Sequence, residues 1–136
     1  MFSRRRFIAH LTRLATLAVP ATAFARTDPA PPSIPRPSTL IQRSPVAGFQ
    51  YHQGEQVWQH LQPEQTVTLV REPGNRFDPN AVRIDWNGHK LGYLPRVHNT
   101  AVSQMLDRSE PLTARIVVLR KHGAPWQRME VEVWLS

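Results

Sequence analysis

A chain of 136 residues has room for one compact domain with flanking segments. It contains no cysteine, which excludes disulfides, iron–sulfur clusters and cysteine-bearing zinc sites. The formal charge of +7 invites a polyanion as partner, but only +3 of it remains from Arg26 onward, too mild an excess to single out nucleic acid by itself.

Ser3-Arg4-Arg5-Arg6-Phe7-Ile8 resembles the twin-arginine export signature: a serine, paired arginines, one free position, then an aromatic and an aliphatic residue. An apolar stretch follows Arg13 as far as Ala25, its uninterrupted part well short of the ~20 residues that a membrane-spanning helix needs. Ala23-Phe24-Ala25 supplies the small-x-small pattern of a cleavage site. The expectation is a signal peptide over residues 1–25, cleaved after Ala25, and a periplasmic mature protein without a transmembrane span; an uncleaved amphipathic anchor is the alternative. Residues 26–44 carry Pro29, Pro31, Pro32, Pro35 and Pro37. That density removes backbone donors and imposes extended conformations, so the segment is expected to be a stiff linker with neither helix nor strand.

The domain is expected over residues 45–136. Its first strand is expected at 46–53, broken by Gly48, followed by a short helix or turn over 55–61 and a Thr/Val-rich strand over 65–71. Val82, Ile84 and Trp86 alternate with Arg83 and Asp85, and Asn87-Gly88 follows, the dipeptide that suits a type I′ hairpin turn. Residues 90–94 form the partner strand. Pro95 then opens a helix over 96–108, whose apolar face gathers Val97, Ala101, Val102, Met105 and Leu106. Strands over 112–120 and 128–135 close the chain, the second burying Met129, Val131, Val133 and Leu135. This pattern predicts a mainly β fold, a small six-stranded OB-like barrel with one principal α-helix.

Three blocks in order carry a family resemblance: Val46-Ala47-Gly48-Phe49-Gln50-Tyr51; Arg71-Glu72-Pro73-Gly74-Asn75-Arg76-Phe77-Asp78-Pro79-Asn80-Ala81; and Gly88-His89-Lys90-Leu91-Gly92-Tyr93-Leu94-Pro95. Together they resemble the HIRAN domain. The resemblance implies a modified OB-like barrel that, in helicase-like DNA-repair proteins, recognises the free 3′-hydroxyl end of single-stranded DNA. It implies Tyr51 and Phe77 as platforms for terminal bases, Asp78 as acceptor of the terminal hydroxyl proton, and Tyr93 and Arg96 at the backbone. Gln50 stands where a basic residue would hold phosphate, and Tyr93 stands where some members carry histidine. Arg71, Arg76 and Arg96 are candidate phosphate contacts.

An aromatic face stacks on any base, so two of them give sequence-tolerant grip. A carboxylate beside a polyanion is repulsive unless it receives a proton, which would let Asp78 distinguish an end from an internal phosphate. Structural roles compete with these. Asp78-Pro79-Asn80 has the composition of an ordinary turn, Tyr51, Phe77 and Tyr93 suit a core, Arg71 and Glu72 suit a solvated ion pair, and the four tryptophans suit packing.

No G-x-S-x-G, P-loop or H-E-x-x-H motif is present, and His52, His60, His89, His98 and His122 are scattered over different elements. The expectation is therefore no catalytic residue, no metal and no cofactor. The partner expected is single-stranded DNA or another nucleic-acid end. The competing expectation is an exported envelope protein that uses the same barrel for a non-nucleic-acid ligand or a protein.

Overall fold

The computed structural model describes residues 16–18 and 38–136. The chain divides into two compact units, Met1–Ser33 and Ile34–Ser136, and all the secondary structure described belongs to the second. The expected leader and the Pro-rich stretch through Pro37 lie almost wholly outside the described residues.

Six strands, β1 (Thr39–Pro45), β2 (Thr66–Glu72), β3 (Ala81–Trp86), β4 (His89–Tyr93), β5 (Leu112–Leu119) and β6 (Met129–Leu135), form one antiparallel sheet in the order β1-β6-β5-β2-β3-β4. Two α-helices accompany them, the single turn α1 (Gly54–Val57) and the principal helix α2 (Thr100–Asp107). The mainly β, OB-like expectation holds, with one change: the sheet is not a closed barrel. Its two outer strands approach only where Ala47, just past β1, bridges Tyr93 of β4. The sheet also thins at its middle, where β2 and β5 share only the pairs Thr66↔Arg115 and Val67↔Ala114.

The Asn87-Gly88 turn joins β3 to β4 with both residues at positive φ, as the type I′ geometry demands. β6 buries Met129, Val131 and Val133 in alternation, while Leu135, the last of the expected apolar face, is only half-buried. The inside of the curl is filled by Val46, Phe49, Val82, Ile84, Leu91 and Ile116, all fully buried. Each such side chain stabilises the fold by roughly 1.5–3 kcal/mol.

Three expectations change. A strand occupies Thr39–Pro45, all but its last residue inside the expected linker. The dense run of prolines stops at Pro37, and β1 is an edge strand ended by the next proline, Pro45; its buried face is supplied by β6, and a bulge between Leu40 and Gln42 hides the alternation. The expected strand over 46–53 is reduced to the Ala47 bridge, because Gly48 at φ 72° turns the chain into a 3-10 turn over Phe49–Tyr51. The expected helix over 96–108 begins as a 3-10 turn, Arg96–His98, closed by the His98 N–H donating to the Pro95 carbonyl at 2.8 Å. The tighter winding turns Val97 out to solvent and leaves Val102 and Ser103 as the buried face of α2.

The Ala47 bridge depends on Gly92. A Cβ there would strike the Ala47 carbonyl oxygen and lie 2.7 Å from Val46 Cγ1. Gly92→Ala is expected to cost about 2 kcal/mol or more, measured by urea unfolding.

Candidate functional site

The Ala47 bridge carries the Phe49–Tyr51 turn against β4, and the loop over 73–80 rises beside it. Between them lies an open cleft of about 570 Å³ lined by Tyr51, Arg76, Phe77, Asp78, Tyr93 and Arg96, six of the seven site residues that the sequence nominates. Tyr51 and Phe77 are each 78% exposed, so neither is a core aromatic. The seventh, Arg71, does not line the cleft. Its guanidinium donates to Asp107 on α2 (3.0 Å) and to the Ala81 carbonyl (3.3 Å), tying β2 to the helix and the β3 start. Gln50 is exposed and also lies off the cleft wall.

Asp78 has the turn role that its sequence context suggests. Its Oδ1 accepts the Asn80 N–H at 2.9 Å, and its backbone carbonyl accepts the Ala81 N–H at 3.1 Å. Its Oδ2 accepts from Nδ2 of Asn99 at 2.7 Å, and Asn99 is buried just before α2. Asn75 braces the same loop: its Oδ1 accepts the N–H groups of Phe77 (2.9 Å) and Asp78 (3.2 Å), and its amide donates to Glu72 (3.2 Å). The exposed ring of Phe77 therefore stands on a backbone bonded by the Asn75 side chain, next to an Asp78 carboxylate bonded by Asn99.

Behind the cleft wall runs a polar chain. The Tyr93 hydroxyl donates to Glu72 Oε1 (2.7 Å) and accepts from the Lys90 ammonium (2.7 Å). Arg83 donates to Glu72 (2.9 Å) and to Asp85 (2.9 Å). Burial pushes the Glu72 carboxyl up, but hydrogen bonds from Tyr93, Asn75 and Arg83 outweigh it and hold it below the usual carboxylate range. The hydrogen bond to Asp85, opposed by burial, raises Arg83 further. His52 faces Tyr93 edge-on, with centroids 5.8 Å apart; burial and then the Lys90 charge push its pKa down, against a smaller upward pull from Glu72.

The charge distribution separates the cleft from the rest of the domain. Arg43, Arg71, Arg83, Arg108, Arg115, Arg120 and Arg128 each pair with a carboxylate. Among the described residues, the cations without such a partner are Lys121 and the three on the cleft, Arg76, Lys90 and Arg96. Sequence reasoning missed Lys90, His52 and Asn75 as wall residues. Asn75 had a signal in its place within the Asx-rich loop; Lys90 and His52 had none. No trio of His, Asp or Glu among the described residues is arranged to hold a metal ion, and no described helix is long and apolar enough to cross a membrane.

Fold and cleft define a small OB-like domain with an open, cation-rimmed aromatic groove. Residues 41–136 match the HIRAN domain family, and the chain belongs to it. Among solved structures it is similar to a protein from Lactobacillus plantarum, with a TM-score of 0.64 and 27% identity over 73% of this chain and 95% of that one. It is also similar to the HIRAN domain of human HLTF, with a TM-score of 0.52 and 20% identity over 73% and 80%, a likeness of fold. Curated relatives include a Fanconi-associated nuclease 1 homolog of Oryza sativa subsp. japonica (29% identical over 52% of this chain) and the helicase-like transcription factor of Oryctolagus cuniculus (26% over 68%). The matched regions span only 7% and 9% of those proteins.

The Glu72 shift has a definite sign. A carboxyl with a lower pKa folded than unfolded adds stability above its unfolded value near 4.5, and that stability is lost as pH falls through the folded value. Glu72→Gln is expected to flatten the decline of Tm on acidification below about pH 4.5, measured by thermal unfolding across a pH series.

Proposed function

We propose that this HIRAN domain is a nucleic-acid-binding module whose cleft receives the unpaired end of a single strand, with the 3′-hydroxyl at Asp78 and no bond made or broken. One observation carries the reading: two aromatic rings stand 78% exposed on opposite parts of one cleft whose cations have no carboxylate partner. Leaving two rings in water and three cations unneutralised does not stabilise the domain, whereas bases and phosphates would engage both. Each base stacked on such a ring contributes about 1–3 kcal/mol. The hydrogen bonds from Asn80 and Asn99 leave each Asp78 oxygen a further lone pair, so the carboxylate remains able to accept a hydroxyl proton. An internal phosphate at the same point would meet only like charge. Relatives named as a nuclease homolog and a helicase-like transcription factor agree with a nucleic-acid ligand.

Fluorescence anisotropy with a short oligothymidylate tests this. Contact of Arg76, Lys90 and Arg96 with phosphates predicts that log affinity falls with log salt at a slope of about −2. Tyr51→Ala and Phe77→Ala each weaken binding by about tenfold. Asp78→Asn narrows the preference for a free over a blocked 3′ end. Equal affinity of the unaltered protein for both ends would remove the role of Asp78. Absence of binding at low salt would remove the nucleic-acid reading and favour a non-nucleic-acid ligand.

The arginine-pair leader supports export, which we propose as the route to the periplasm. Exchange of Arg4 and Arg5 for lysine is expected to leave the precursor in the cytoplasm, where the unaltered chain gives a periplasmic product beginning at Arg26; cell fractionation and mass of the product read both.

A further inference from the structure

Lys90 differs from the other two cations of the cleft. Arg76 and Arg96 are exposed side chains on its rim, whereas Lys90 is half-buried and held from several sides. Its N–H donates to Gln53 Oε1 and its carbonyl accepts the Gln53 N–H, both at 2.9 Å, so β4 is fastened to the start of α1 at this residue. Its ammonium lies 4.5 Å from the centroid of the Tyr93 ring and donates to the Tyr93 hydroxyl at 2.7 Å. Because that hydroxyl gives its own proton to Glu72, it faces Lys90 as an acceptor. Of the three ammonium N–H groups one is used in this way, and no carboxylate among the described residues pairs with the others.

A bulge makes the arrangement possible. Asp85 pairs with Lys90 and Ile84 with Gly92, so Leu91 is an extra residue in β4. Without it, Lys90 and Tyr93 would point to opposite faces; with it, both stand on the face that carries Arg83 and Asp85. Arg83 and the tyrosine share the Glu72 charge. Lys90 is thereby kept near the carboxylate's hydrogen-bond chain without forming an ion pair with it, and its charge stays available to a ligand.

We propose that Lys90 is the principal phosphate-holding residue of the cleft: its two uncommitted N–H groups receive a phosphate of the strand whose bases stack on Tyr51 and Phe77. Tyr93 and Glu72 are positioning residues for it. The assignment rests on the nucleic-acid reading above. It supplies from β4 the positive charge that Gln50, which lies off the cleft wall, does not provide.

The same oligothymidylate titration, over a salt series, tests it. Lys90→Met keeps the apolar stem and is expected to weaken binding at low salt by about tenfold and to reduce the magnitude of the salt slope by about 0.7. Lys90→Arg is expected to restore the slope. Tyr93→Phe leaves the charge but removes its anchor, so affinity falls by about threefold with the slope unchanged. In the unaltered protein, the nitrogen-15 resonance of the Lys90 ammonium is expected to shift when the strand is added, a measurement that does not depend on any variant folding. Binding by the unaltered protein with no shift at Lys90, or with unchanged affinity and slope in a folded Lys90→Met, overturns the assignment and leaves the nucleic-acid reading standing. Failure of the unaltered protein to bind the strand at low salt overturns both.

Discussion

The site depends on one small piece of backbone pairing. Val46 donates its N–H to the Met129 carbonyl of β6 at 3.0 Å, and Ala47 exchanges two hydrogen bonds with Tyr93 of β4, at 2.8 and 2.9 Å. Two adjacent residues therefore touch strands near opposite ends of the sheet order. The curl of an incompletely closed sheet is held by this pin, and everything that forms the cleft is referenced to it. The Phe49–Tyr51 turn follows directly, so Tyr51 is delivered to Tyr93 by a connection only a few residues long. Gly92 is the condition for so close an approach, since any side chain there would occupy the space of the Ala47 carbonyl.

The second constraint is the rigidity of the 73–80 loop. A loop that exposes an aromatic ring would ordinarily bury that ring or lose its shape. Here the Asn75 and Asp78 side chains accept backbone N–H groups of the loop, and bonds from Asn75 to Glu72 and from Asn99 to Asp78 link it to β2 and to the start of α2. Phe77 is left with only Arg76 against its face, 5.5 Å from the ring centroid. The contrast with the other side of the turn is informative. There Phe49 is buried, packs edge-on against Trp58, and is covered by Arg128, which is itself paired with Glu55. Aromatic rings and arginines occur in both places; packing and ion pairing complete the one and leave the other open.

Much of the fold was legible because it is written locally. The β3–β4 hairpin follows from alternation and an Asn-Gly turn, β6 from alternation alone, and the short helical turns over 54–60 from their position between strands. Where the reading failed, the missing information was distant. β1 lacks any pattern of its own beyond the absence of proline between Pro37 and Pro45, and becomes a strand because β6 offers it an edge. Val97 fits a helical stripe in one dimension, yet a 3-10 turn after Pro95 points it to solvent. Arg71 stands in the most distinctive motif of the chain and nevertheless serves α2, because Asp107 is within reach of its guanidinium.

The sequence by itself determined the types of β2 to β6 and α2, the hairpin, and the clustering of Phe77 and Asp78 with turn-forming neighbours, since each rests on interactions among residues close in the chain. Tertiary structure alone decided which cations are neutralised, which aromatics remain in water, and that Lys90 shares a face with Tyr93. Those outcomes depend on strand register and on the one-residue bulge at Leu91. A bulge inverts the facing of every residue beyond it, and its place is set by pairing with another strand and by the approach of Ala47, neither of which is encoded in the alternation of β4 itself.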